Sequence, residues 1–96
     1  MHMSKLKSIP LNQFQLARLL DDEQMTMFKL MIDRNVYCTH CGDMCEEGVT
    51  VSETVLNSLN DIQVSGTCNT CEGSVSRIVE FGEDKAFYDK ATEFRK

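Results

Sequence analysis

Two pairs of cysteines are the residues in this chain whose types and spacing point most directly to chemistry. Cys38 and Cys41 lie in CTHC, and Cys68 and Cys71 lie in CNTC. Two intervening residues allow the chain to fold back so that both sulfurs of a pair face one ion. Two such turns can surround one ion as a tetrahedron, with bonds of about 2.3 Å for zinc. The spacing therefore predicts a four-thiolate metal site.

The number of cysteines and the residues around them also bear on this prediction. The chain has five cysteines, and reduced thiols are the rule in the cytoplasm, where we expect this protein. A disulfide framework and a redox-active pair are the alternatives, but a redox pair usually opens a helix after a strand, which neither CTHCG nor CNTCEG resembles.

Cys45 is predicted to be a spare thiol, with redox sensing or ligand exchange as its alternatives. His40 is predicted to be an exposed turn residue rather than a replacement ligand.

Composition and charge limit the classes of function. Hydrophobic residues make up 42% and charged residues 26% of the 96 residues, which is typical of a globular domain. The sequence has no apolar run long enough for a membrane span and no secretory signal pattern, so we expect a soluble, cytoplasmic protein without a membrane role. The formal net charge is −5, and between residues 36 and 81 Arg77 is the only Lys or Arg. This segment is poorly suited to bind a phosphate backbone.

Two helices are predicted before the cysteine segment. Apolar residues at helical intervals indicate a helix over 10–20, with Pro10 at its first position. Asp21 and Asp22 are candidate caps for a second helix over 23–34 that ends near Asn35. This second helix carries six apolar residues, so we expect it to pack on two sides. The alternative is a methionine-rich surface for a partner.

Strands are predicted within and after the cysteine segment. Residues 49–51 alternate as a strand, and residues 62–67 return as a strand into Cys68. Residues 52–60 fit either a short helix capped by Ser52 or the end of a hairpin, and we favour a hairpin with its loop over 57–61. Gly73 is expected to supply a left-handed turn residue, and residues 74–81 form the clearest strand. Asp84 is a candidate cap for a helix over 85–96.

The segment over 37–81 resembles a zinc ribbon, with the knuckles CTHCG and CNTCEG and three short strands. The resemblance implies a three-stranded antiparallel ribbon (36–82). Together with the helices that the residue pattern predicts on either side, an N-terminal helical hairpin (1–35) and a C-terminal helix (83–96), it leads us to expect an α+β fold in a single compact domain. It also implies that Cys38, Cys41, Cys68 and Cys71 hold one structural Zn²⁺. Glu72 occupies the place that Gly42 has in the first knuckle, and this departure is expected to loosen the second knuckle.

Iron is the alternative metal, because rubredoxin-like proteins hold iron with two similar knuckles and transfer electrons. Four sulfurs do not choose between zinc and iron. However, rubredoxins usually have Trp in the core and Pro after the first Cys of the second knuckle, whereas this chain has no Trp and has Asn69 at that position. Electron transfer is therefore the less favoured function.

A non-catalytic, regulatory protein-binding module is the predicted function. A metal with four protein thiolates has no open position for water or substrate, and we find no catalytic grouping or phosphate loop, so neither an enzyme nor a small-molecule substrate is expected. The partner would be another protein, or a second copy of the chain, contacted through apolar helix faces or the acidic edge of the ribbon. The candidate surface residues are Met27, Met31, Phe87, Tyr88 and Phe94.

The rival function is that of a transcription-associated or nucleic-acid-binding accessory protein, because zinc ribbons are common in such proteins. Direct contact with nucleic acid would need basic residues outside the acidic ribbon. The candidates are Lys5, Lys7, Arg18, Lys29 and Arg34.

Overall fold

The fold combines three α-helices with six short strands in a computed structural model that describes residues 6–34 and 36–96, apart from the side chain of Arg34. In chain order the elements are β1 (Ile9–Pro10), α1 (Gln13–Leu19), α2 (Asp22–Arg34), β2 (Tyr37–Cys38), β3 (Asp43–Met44), β4 (Val49–Leu56), β5 (Ile62–Cys68), β6 (Ser74–Val79) and α3 (Lys85–Phe94), with a 3-10 turn over Phe81–Glu83 before α3. The predicted α+β class is confirmed. The expected helix end at Asn35, and any role of Lys5, lie outside the described residues.

Four strands form the main antiparallel sheet in the order β1-β4-β5-β6, and β2 pairs with β3 in a separate small sheet. The prediction of three strands is therefore wrong in number, because Ile9 and Pro10 pair with Leu56 and Val55. The hairpin loop predicted over 57–61 is confirmed, since β4 ends at Leu56 and β5 begins at Ile62. Within the described residues, no helix is long and apolar enough to cross a membrane.

Side-chain caps decide where the first two helices begin. Pro10 belongs to β1, so the prediction that it opens the first helix is wrong. Instead Asn12 and Gln15 form a capping box, in which each side-chain oxygen accepts the other's backbone N–H at 2.8 Å. Asp21 and Gln24 repeat this arrangement at 2.7 and 3.0 Å. A capping box satisfies amides that the first helical turn leaves unpaired, and the cap predicted at Asp21 is confirmed.

Helix α2 packs on one side only. Phe28 and Ile32 are buried, while Met27 and Leu30 are 49% and 55% exposed. The predicted packing on two sides is therefore wrong, and the outer face of α2 carries unburied apolar side chains. The core is a single cluster of side chains from all three helices, the main sheet and the cysteine segment, and it comprises Leu11, Leu19, Leu20, Phe28, Ile32, Val36, Cys38, Cys45, Leu56, Ile62, Val64, Cys68, Val75, Val79, Phe87 and Ala91.

A polar cluster joins the β4–β5 loop to α3. Asn60 is fully buried and adopts a left-handed backbone with a φ of 60°, a conformation that Asn tolerates better than most residues. Its amide nitrogen donates to the Tyr88 carbonyl and to Thr92 Oγ1, both at 3.1 Å. Arg95 Nε donates to Asn60 Oδ1 at 2.8 Å. This cluster fixes α3 against the loop end of the main sheet.

Arg95 joins this cluster to the residues before β1 and to the β4–β5 loop. One guanidinium nitrogen donates to the Asn57 carbonyl at 2.6 Å, and another donates to the Lys7 carbonyl. A guanidinium offers several donors in a fixed plane, which suits three acceptors around one position. Because the three acceptors come from two distant segments, Arg95 holds the N-terminal residues, the loop and α3 together.

Asp61 lies beside this cluster. Burial raises the pKa of its carboxyl above the usual 3.8. The Gly82 N–H donates to Asp61 Oδ1 at 2.8 Å, which lowers the pKa but does not offset the effect of burial. Because the pKa is higher in the folded state, ionisation of Asp61 opposes folding above that pKa, and the penalty disappears as the pH falls below 3.8. We therefore expect Asp61→Asn, which keeps the acceptor for Gly82, to raise the free energy of unfolding at neutral pH.

The check is urea denaturation of both proteins across acidic and neutral pH, because the difference between them isolates Asp61 from the other carboxyl groups. The advantage of Asp61→Asn should shrink as the pH falls. A difference that is constant with pH, or that favours the aspartate at neutral pH, would show that ionised Asp61 does not oppose folding.

Candidate metal centre

The four predicted cysteine thiols meet at one point. Their sulfurs all lie within 4.8 Å of one another, with Cys38 and Cys71 separated by 3.4 Å and Cys41 and Cys68 by 3.8 Å. Zn–S bonds of about 2.3 Å in a tetrahedron place the sulfurs about 3.8 Å apart. These separations fit four ligands around one ion, and all five cysteines of the chain are free thiols.

The two knuckles have nearly the same backbone path. The Gly42 N–H donates to the Cys38 carbonyl at 2.9 Å, and the Glu72 N–H donates to the Cys68 carbonyl at 2.8 Å. Gly42 and Glu72 also share the left-handed conformation, with φ values of 73° and 65°. The matching turns bring each pair of thiols toward the other, with Cys38 at the end of β2 and Cys68 at the end of β5.

Glu72, rather than Gly73, supplies the left-handed residue of the second knuckle, so the prediction for Gly73 is wrong. Gly73 is needed for another reason, because a Cβ at this position would lie 2.4 Å from His40 Cδ2. His40 is exposed, as predicted, but its ring lies against the backbone of the other knuckle. This contact links the two halves of the site.

Glu72→Gly is expected to stabilise the metal-loaded protein, because a non-glycine residue in the left-handed region costs about 1–2 kcal/mol that glycine does not incur. Glycine loses more backbone entropy on folding, so we expect a net gain of about 0.5–1 kcal/mol. The measurement is denaturant unfolding of the metal-loaded protein. Glu72→Gln is the control, because it removes the charge and keeps the left-handed strain. Equal gains in both variants would assign the effect to charge instead of backbone conformation.

Asn69 connects the second knuckle to the chain before β4. Its backbone N–H donates to the Gly48 carbonyl at 3.0 Å, and its side-chain nitrogen donates to the Glu47 carbonyl at 3.1 Å. Thr50 Oγ1 donates to Asn69 Oδ1 at 2.6 Å. A proline at this position could not make the backbone bond, which gives a physical reason for Asn69. The absence of proline at position 69 is visible in the sequence, but no sequence pattern predicts that Asn69 connects the second knuckle to the chain before β4.

Backbone hydrogen bonds lower the pKa of two of the four thiols, whereas a neighbouring thiol raises the pKa of a third. The backbone N–H of Cys41 lowers the pKa of the Cys38 thiol, and that of Cys71 is the main cause that lowers the pKa of Cys68 to about 6. The neighbouring Cys71 thiol raises the pKa of Cys41. Four crowded sulfurs thus resist full ionisation, while a divalent cation among them would favour the thiolate form of each. The donor set fits a metal ion.

Cys45 lies beside the four-thiol cluster without joining it. It is buried, and burial, followed by contact with Cys68, raises the pKa of its thiol to about 12. Its backbone N–H donates to the Val36 carbonyl at 2.9 Å. A buried, protonated thiol is a weak nucleophile, so these features favour the predicted spare thiol over a redox sensor.

The predicted partner residues are not equally accessible. Phe87 is only 2% exposed, and its ring lies 5.2 Å from that of Phe81 in the core. Met31 and Phe94 are partly buried against the same core. Met27 and Tyr88 are exposed. Phe87 is therefore too deeply buried to contact a partner directly, whereas Met27 and Tyr88 are accessible to one.

The cluster of four cysteines thus has the spacing and geometry of a metal site, and it is formed by two turns that the sheets hold in place. Comparison with family models, with curated proteins and with solved structures finds no match to this chain.

Proposed function

We propose that the chain is a non-catalytic, regulatory protein-binding module of the zinc-ribbon type, with one structural Zn²⁺ held by Cys38, Cys41, Cys68 and Cys71. The observation that carries this proposal is that four thiol sulfurs lie within 4.8 Å of one another. Four protein thiolates complete the coordination of zinc and leave no position for a substrate. Bound there, zinc would supply a cross-link between the β2–β3 turn and the β5–β6 turn.

Metal analysis of the purified protein tests the first half of the proposal. We expect one zinc per chain, which a chelator removes together with most of the folded structure. A red protein with one iron and a reversible one-electron couple would contradict a zinc module and favour the rubredoxin-like alternative.

The protein-binding half of the proposal draws on surface chemistry. Met27 and Leu30 on α2 are exposed apolar side chains, and Tyr88 on α3 is a third. Large side chains of this kind are enriched in protein interfaces. By contrast, residues 36–81 combine seven acidic side chains with a single basic one, which opposes binding to a phosphate backbone.

A capture experiment with the zinc-loaded protein as bait tests this half. We expect a protein partner that is retained by the wild type and by Cys45→Ser, and is lost when the bait is treated with a chelator. An affinity for nucleic acid that falls steeply with salt would instead favour the transcription-associated alternative. Absence of any specific partner, together with a monomeric protein, would contradict a binding module.

A further inference from the structure

The outer edge of β4 is open over most of its length. Strand β4 has eight residues, but β1 pairs only with Val55 and Leu56, and the Leu11 N–H donates to the Thr54 carbonyl at 2.8 Å. Across residues 6–34 and 36–96, no strand pairs with the outer side of residues 49–53. Such an edge presents free backbone donors and acceptors to another chain.

A groove runs beside this open edge. Val51, which is 45% exposed, lines it together with Thr54, and the first two helices form the opposite wall. That wall is mainly apolar, through Leu16, Met25 and Phe28, and it also carries Lys29, so the groove suits an apolar side chain and the basic residues of a partner would lie outside it. The groove has a volume of ≈ 510 Å³. The register of β4 against β5 shifts between Val51 and Glu53, and register shifts of the β-bulge kind commonly re-aim side chains at such places. A strand added to the edge could place an alternate side chain in this groove.

The acidic residues on and before β4 favour a basic partner at this edge. The four acidic residues Asp43, Glu46, Glu47 and Glu53 are all exposed, and no Lys or Arg lies between residues 43 and 53. Each copy of this chain carries a formal net charge of −5, so electrostatics disfavour self-pairing. A segment with Lys or Arg among its outward side chains is complementary.

We propose that a basic, extended segment of another protein adds as a strand to the outer edge of β4 at Val49–Val51 and inserts an apolar side chain into the groove beside Val51. Backbone hydrogen bonds would supply much of the affinity, while the groove and the acidic residues would supply specificity. This inference rests on the proposed protein-binding function and names its site and the chemistry of its partner.

Selection from a random-peptide library displayed on phage, with zinc-loaded protein as the target, tests the proposal. Peptides that bind should be enriched in Lys and Arg and in alternating apolar residues. Val51→Lys should weaken them by at least about tenfold, because it places a positive charge at the groove and against the peptide. Ile78→Lys is the matched control, since Ile78 is 46% exposed on β6, and it should change the affinity by less than about threefold.

A second comparison separates strand addition from simple attraction of opposite charges. N-methylation of alternate peptide amides removes backbone donors and keeps the charge, so it should weaken binding by about tenfold if the peptide pairs with β4. Both lysine variants must keep one zinc per chain and the wild-type melting temperature. If one of them does not, the N-methylated peptides decide the question on the wild-type protein.

Each of the following results would overturn the proposal: no enrichment of basic peptides, equal binding by Val51→Lys and Ile78→Lys, full affinity of the N-methylated peptides, or a wild-type dimer that Val51→Lys dissociates. A cellular protein partner retained by zinc-loaded Val51→Lys would also overturn the β4 site. That last result would leave the protein-binding function itself intact, so the two failures can be told apart.

Discussion

Replacing Cys68 by serine is expected to abolish stoichiometric zinc binding and to unfold most of the protein. Structural zinc contributes an apparent free energy of about 10–16 kcal/mol in small zinc domains, whereas a small protein is stable by only about 5–15 kcal/mol in total. Cys68 is fully buried at the end of β5. Loss of zinc through this substitution would therefore remove about as much free energy as stabilises the whole folded protein.

Zinc content by mass spectrometry of the intact protein and circular dichroism during heating would measure this effect. Cys45→Ser is the matched control, because Cys45 is equally a buried cysteine but is not among the four clustered thiols. It should keep one zinc and most of its stability. Retention of zinc with native-like melting by Cys68→Ser, or loss of zinc from Cys45→Ser, would contradict the assignment of ligands.

Arg95→Met is expected to have the second largest effect, a loss of about 2–4 kcal/mol from the free energy of unfolding. The guanidinium donates to Asn60 Oδ1, to the Asn57 carbonyl and to the Lys7 carbonyl. Removing the guanidinium leaves the buried Asn60 Oδ1 unpaired, which costs about 1–3 kcal/mol, and removes two further hydrogen bonds from a charged donor. The Asn57 carbonyl keeps the Asn60 N–H at 3.0 Å, and the Lys7 carbonyl lies at an exposed position, so neither of these adds a buried unpaired acceptor. Methionine retains much of the aliphatic length of arginine, so packing is largely preserved.

Urea denaturation of the zinc-loaded protein measures this loss. Lys96→Met is the matched control, since it removes the same charge from the next residue, where an exposed salt bridge to Glu93 at 3.1 Å contributes little. Arg95→Lys should recover only part of the stability, because an ammonium cannot reach three acceptors in one plane. A change below about 0.5 kcal/mol in Arg95→Met would show that the cluster does not hold α3 in place.

Local features account for what the sequence predicted correctly. The cysteine pairs, the cap at Asp21 and the hairpin loop over 57–61 each depend on residues that are close together in the chain. Alternation over residues 74–79 likewise placed Val75 and Val79 on the buried side of β6. In these cases the spacing of residue types is itself the cause of the structure, so the pattern could be read without knowledge of the fold.

Contacts between distant residues account for what the sequence did not predict. Pro10 fits the start of a helix equally well, and only the pairing of β1 with β4 decides against it. The position of Arg95 suits the negative end of a helix dipole, but its acceptor in Asn60 lies 35 residues away. Glu72 has a left-handed backbone conformation, which a glutamate in the sequence does not indicate.

X-ray absorption spectroscopy at the zinc edge would show whether four cysteine sulfurs complete the coordination of one zinc ion, as we propose. Zinc-loaded wild-type protein is expected to show four sulfur neighbours at about 2.3 Å and no nitrogen or oxygen neighbour. Three sulfurs with one lighter neighbour at about 2.0–2.1 Å, from His40 or from water, would contradict a closed four-thiolate site.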